Sequence, residues 1–138
     1  MEWLAFTAGS AFFAGLTAVL AKLGVRDLPS NLATLIRTVV ILVFVLVLVL
    51  VRREWPHPGQ LASRSVVFLI LSGLTTGLSW LCYYRALQSG PVSLIAPLDK
   101  LSLVVALGLA VLVLGERLTA WQWVGASLMT LGALVLVL

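Results

Sequence analysis

The apolar positions of this chain run in long unbroken stretches rather than in amphipathic stripes. From Val39 to Val51 every residue is apolar. A helix built from that run is hydrophobic on all faces, and a soluble domain of this size has no interior able to hide it. Polar punctuation divides the chain into five such runs. The first covers about 3–24 and closes at Val25-Arg26-Asp27-Leu28-Pro29. The second, about 31–51, stops at Arg52-Arg53-Glu54, and the third, about 65–87, ends at Gln88-Ser89-Gly90-Pro91. The fourth, about 92–114, breaks off at Gly115-Glu116-Arg117. The fifth, about 120–138, follows Thr119, which reads with Gln122 as a capping box. Each run is close to the roughly 20 apolar residues needed to cross about 30 Å of hydrocarbon. The pattern predicts an all-α membrane protein: five transmembrane helices in one domain, residues 1–138. The only long loop it leaves is the stretch from Arg52 to Arg64, with Pro56 and Pro58.

Composition sharpens this. The 138 residues are 62% hydrophobic and only 10% charged, against roughly a quarter charged in a soluble domain. A lone Cys82 rules out a disulfide framework. The net charge of +4 is scattered rather than gathered into a patch, so nucleic acid is not an expected partner. No phosphate-cradling motif is present, which argues against ATP drive within the chain. The single His57 sits between prolines in the loop, leaving no base within reach of a nucleophile. Neither an enzyme nor a bound metal or cofactor is expected. A cleavable signal peptide wants a basic start and a short apolar core; Met1-Glu2 followed by about 22 mostly apolar residues reads as a first span instead.

With five spans the termini face opposite sides. Arg52, Arg53, Arg64 and Arg117 flank the amino-terminal side, and Lys22, Arg26 and Arg85 flank the other. Lys/Arg bias in short loops sets orientation, and here it is nearly balanced. Two readings stand: ordinary insertion with the amino-terminal side in the cytoplasm, or a chain that inserts both ways and pairs antiparallel. Trp3, Trp55, Trp121 and Trp123 all fall at the amino-terminal-side interface, where amphipathic rings belong.

The helix faces separate at about 100° per residue. On the first helix Ala8, Ala11, Gly15, Ala18 and Lys22 share a stripe, the small residues suited to close helix packing. On the third, Gly73, Gly77, Trp80 and Tyr84 share a side flanked by Ser72, Thr76, Ser79 and Tyr83, opposite Leu71, Leu74, Leu78 and Leu81. Gly73-Leu74-Thr75-Thr76-Gly77 reads as a small-xxx-small seam, and Trp80, Tyr83 and Tyr84 either line a pocket or fill one. The fourth helix carries a proline, Pro97, two residues before Asp99, a carboxylate inside a span. Proline removes a backbone donor and frees the carbonyl of Ser93, and interrupted helices recur at transporter binding sites. Asp99 heads a stripe with Ser102, Ala106 and Ala110, expected to face inward. An ionisable group inside a span is costly and by default functional. Its candidate partners are Arg37, Lys22 and Lys100. Arg37 matches it in depth, whereas Lys100, one residue on, is expected to point elsewhere. Two readings remain for Asp99: a pair with Arg37 that fixes helix register, or handling of substrate or protons. The excess of cations in this layer suits an anionic or zwitterionic ligand or anionic lipid.

Gly77-Leu78-Ser79-Trp80-Leu81-Cys82-Tyr83-Tyr84-Arg85-Ala86-Leu87, then Ala96-Pro97, then Leu114-Gly115-Glu116-Arg117-Leu118-Thr119 with Trp121, Trp123, Gly125 and Gly132, resembles one EamA domain over the whole chain. That domain is the repeat of the drug/metabolite transporter superfamily. Most members resemble two such domains in tandem, inverted relative to each other, with a site at their interface. The resemblance implies a secondary transporter of small polar or amphipathic metabolites in the inner cell membrane, with membrane lipid around it. It further implies that this single repeat works as an antiparallel homodimer or with a paired second half. A different class stays open: a non-transporting or flippase subunit of a larger membrane complex.

Overall fold

The computed structural model describes residues 2–55 and 62–136. His57, Pro56 and Pro58 lie outside them. Among the described residues the chain is all helix and turn: α1 (Glu2–Gly24), α2 (Ser30–Arg52), α3 (Ser63–Ser89), α4 (Val92–Asp99), α5 (Ser102–Val113) and α6 (Ala120–Val135). Among the described residues four stretches are long and apolar enough to cross a membrane: α1, α2, α3, and α4 with α5 taken together as Val92–Val113. The shorter α6 has 16 described residues.

The helix boundaries follow from residues that end or start helices. Pro29 precedes α2 in extended geometry, and its carbonyl accepts from the Ala33 N–H at 3.0 Å. At the other end of α2, Arg53 takes the left-handed conformation at φ 54°. The N–H groups of Arg53 and Glu54 donate to the carbonyls of Leu50 and Val49 at 3.2 and 3.0 Å. That pair of bonds is a Schellman end, normally reserved for glycine because a Cβ is strained there. Thr119 and Gln122 close the capping box on α6: the Thr119 N–H donates to Gln122 Oε1 at 2.7 Å, and the Gln122 N–H donates to Thr119 Oγ1 at 3.3 Å. Gly115, at φ 69°, turns the chain after α5 and lets the Glu116 N–H reach the Ala110 carbonyl at 3.1 Å.

The fourth run is not one helix. It passes through Pro97 and breaks three residues later, at Lys100–Leu101. There the N–H groups of Lys100 and Leu101 bond three residues back, to Pro97 and Leu98, at 3.0 and 2.9 Å. The tighter three-residue turn resets the phase of α5. Of the stripe expected to face inward with Asp99, Ser102 and Ala106 are exposed and Ala110 is half-buried, as are Leu103, Leu107 and Val111.

The chain forms two compact units, Ala21–Gln88 and Met1–Leu20 with Ser89–Leu138. In the first, Ala21, Val25, Ser30, Ala33, Tyr84 and Leu87 are buried, Leu87 and Val25 almost completely. This knot joins the end of α1, the α1–α2 turn and the end of α3. In the second, α6 packs against both α4 and α5, and Ala18 and Ala133 are buried. Of the small stripe on α1, Ala8, Ala11 and Gly15 are exposed. Trp3, Trp55, Trp121 and Trp123 are exposed as well, leaving their amphipathic rings available to a membrane interface.

Candidate functional site

Arg37 lies seven residues into α2, about 10 Å along it at 1.5 Å per residue. Its guanidinium carbon sits 3.1 Å from the centre of the Trp80 ring on α3. The guanidinium is thus a cation resting on an aromatic face, an attraction that strengthens as water is removed. Trp80 is itself held by a cluster one turn further along α3. Tyr83 meets it edge-on at 5.6 Å, and Tyr84 lies tilted at 5.7 Å. Tyr84 is buried, whereas Trp80 and Tyr83 are half-buried. Residues 80, 83 and 84 share a face because three and four residues bring side chains around to neighbouring positions on one helix.

Beside this cluster α2 and α3 leave a hollow of about 200 Å³. From α2 it is lined by Thr34, Arg37, Thr38 and Ile41, and from α3 by Gly73, Thr76, Gly77 and Trp80. The glycine seam lies open within the chain. A Cβ added at Gly73 or Gly77 would meet nothing within 4 Å, so the missing side chains make space rather than contact. The threonines are turned to their own helices. Thr34, Thr38 and Thr76 hydroxyls donate to the carbonyls of Ser30, Thr34 and Ser72 at 2.9, 2.8 and 2.8 Å. Their oxygen lone pairs remain as acceptors. Thr76 lies on the side of α3 that the sequence groups with Gly73, Gly77 and Trp80; Thr34, Thr38 and Ile41 are not among the expected site residues, although Thr34 and Thr38 flank Arg37 at a spacing that puts all three near one face.

Lys22 has a backbone partner. Its ammonium donates to the carbonyl of Leu87 in the last turn of α3, where helices carry carbonyls without partners. Gln88 works beside it, its amide nitrogen donating to the carbonyls of Leu28 at 2.7 Å and Val25 at 3.3 Å. Together they tie the α1–α2 turn to the end of α3. A wider hollow of about 600 Å³ opens there, lined by Lys22, Val25, Arg26, Asp27, Leu87 and Gln88.

Asp99, the last residue of α4, has its carboxylate 3.6 Å from the Lys100 ammonium. The expectation that Lys100 must point away assumed a continuous helix; the turn at Lys100–Leu101 lets the flexible side chain swing back. The Asp99 side chain is 39% exposed within the chain. Pro97, half-buried, lies inside α4 rather than at the break.

The profile of the EamA-like transporter family matches residues 1–138. A protein of Sinorhizobium sp, named an uncharacterized transporter in the cobO 3' region, is 47% identical over 135 residues. The match covers 98% of this chain and 96% of that protein. No solved structure matches.

Proposed function

This chain belongs to the EamA-like transporter family, a family of multi-pass membrane proteins, and from that premise we propose a secondary transporter of small polar or amphipathic metabolites. Its place is the inner cell membrane. The observation that carries the reading is Arg37 held over Trp80 at the rim of a hollow between two helices long enough to span a bilayer. A cation within a span costs about 2.5–3.5 kcal/mol or more, so a chain that keeps one beside empty space has a use for it. Trp80, Tyr83 and Tyr84 shape that space, and Asp99 with Lys100, next to the break in the fourth span, handles substrate or protons.

The working unit is an antiparallel homodimer, or this repeat paired with a second inverted half. The apolar stretches of the four long candidates are at most 11% buried within the chain, which leaves their faces to lipid and to a partner. Nearly balanced Lys/Arg flanks support insertion in both directions.

Reconstitution tests both parts. Proteoliposomes are expected to take up at least one labelled solute from a panel of amino acids, carboxylates and sugars, with a rate that depends on an imposed pH gradient. Asp99→Asn with unchanged flux and unchanged gradient dependence would remove that carboxylate from the mechanism. A tag at the carboxyl terminus is expected to be reachable from both faces of the membrane. Reachability from one face only, with stable hetero-association and no self-pairing, would favour a subunit of a larger membrane complex.

A further inference from the structure

We propose that the α2–α3 hollow is a binding site for a small organic monocarboxylate with an apolar or single-ring body, Arg37 taking the carboxylate. The proposal rests on the transport reading for its biological use, but not for its chemistry. Among the described residues, Arg37 is the one charged group lining the hollow. Because the guanidinium lies on the Trp80 ring, that contact takes its face and leaves the in-plane N–H edge, the fork that grips a carboxylate with two parallel bonds. The hydroxyls of Thr34, Thr38 and Thr76 spend their protons on their own helices. They therefore supply acceptors and no competing anion-binding donors.

Charge and size narrow the ligand. One guanidinium balances one negative charge; a dianionic phosphate would leave a second charge uncompensated where water is scarce. A cavity of about 150 Å³ takes a benzene molecule, so about 200 Å³ accommodates one ring with a carboxylate. Ile41 and Trp80 offer the ring an apolar wall, and Gly73 and Gly77 leave it room. A lipid phosphate is the other source of an anion. Arg37 sits about 10 Å along α2 with its side chain laid on Trp80 rather than stretched toward a headgroup, which favours the soluble ligand.

The test is equilibrium binding of radiolabelled benzoate to the purified chain in nanodiscs of phosphatidylcholine, with and without phosphatidylglycerol. Saturable binding is expected that unlabelled benzoate displaces and that benzylamine and benzyl alcohol do not. Arg37→Gln is expected to weaken it tenfold or more, the scale of a lost charge-assisted hydrogen bond. Gly77→Leu fills the hollow from the opposite helix without touching the cation, and is expected to weaken it about as much. No saturable benzoate binding, equal competition by benzylamine, or wild-type affinity in a folded Arg37→Gln or Gly77→Leu variant overturns the proposal. So does binding that vanishes when phosphatidylglycerol is present, which assigns Arg37 to headgroups. Benzoate bound but no solute moved by proteoliposomes would sink the transport reading alone. Solute flux with no benzoate binding would sink this one alone.

Discussion

Along α3 two stretches of one helix do opposite things. Near its carboxyl end Tyr84 and Leu87 are closed off from solvent, and the carbonyl of Leu87 is capped by Lys22. Two to four turns earlier, Gly73 and Gly77 face empty space, and every residue from Ser63 to Leu81 except Val66 and Trp80 is exposed. The first stretch is a fastening and the second is a recess. The difference teaches that in a membrane helix neither burial nor small side chains are distributed for cohesion alone. Stability is concentrated at one end, where apolar volume and backbone partners coincide, and the remaining length is free to serve lipid, ligand or partner.

Three substitutions probe that division. The largest effect is expected from Leu87→Ala, which removes a side chain with no exposure. The cavity left behind is expected to cost about 2–4 kcal/mol, seen as a lower midpoint for heat-induced loss of the monodisperse peak in detergent. A midpoint equal to wild type would break the comparison at its stable end. Lys22→Met is next. It keeps the aliphatic stem but leaves the Leu87 carbonyl without its cation, and a loss of about 1–2 kcal/mol is expected. The same thermal measurement checks it, and Lys22→Arg should restore much of the difference. Gly77→Ala is the smallest. With nothing within 4 Å of the new Cβ, the helical preference of alanine over glycine is expected to leave stability unchanged or raise it by up to about 1 kcal/mol. A clear destabilisation would mean that the recess is a packed seam after all.

The helix ends are the part most readable from the residues. Pro29, Pro91, Gly115 and the Thr119–Gln122 box mark boundaries through local backbone chemistry, which needs no knowledge of the rest of the fold. Partners across helices are another matter. Periodicity groups Gly73, Gly77 and Trp80 on one face, but a small face looks the same whether it meets a neighbouring backbone or a void. Depth matching suggests Asp99 for Arg37 because charge attracts charge, whereas the contact of the guanidinium with the Trp80 ring leaves no signature in a pattern of charges. Lys22 finds the carbonyl of Leu87, sixty-five residues away, and a backbone acceptor leaves no signature in a side-chain pattern. Pro97 is a true warning of interruption in the fourth span, but the place where the ladder tightens depends on the turn that follows and falls at Lys100–Leu101.

A fixed cation at the depth of Arg37 also ties this protein to membrane voltage. Carrying one elementary charge across the full potential takes about 2.3 kcal/mol per 100 mV. While α2 stays put, Arg37 does none of that work, and any rearrangement that shifts α2 along the membrane normal does a fraction of it. A monovalent anion seated on the guanidinium cancels the moving charge. The loaded form would then travel electrically silent, and the empty form would feel the field.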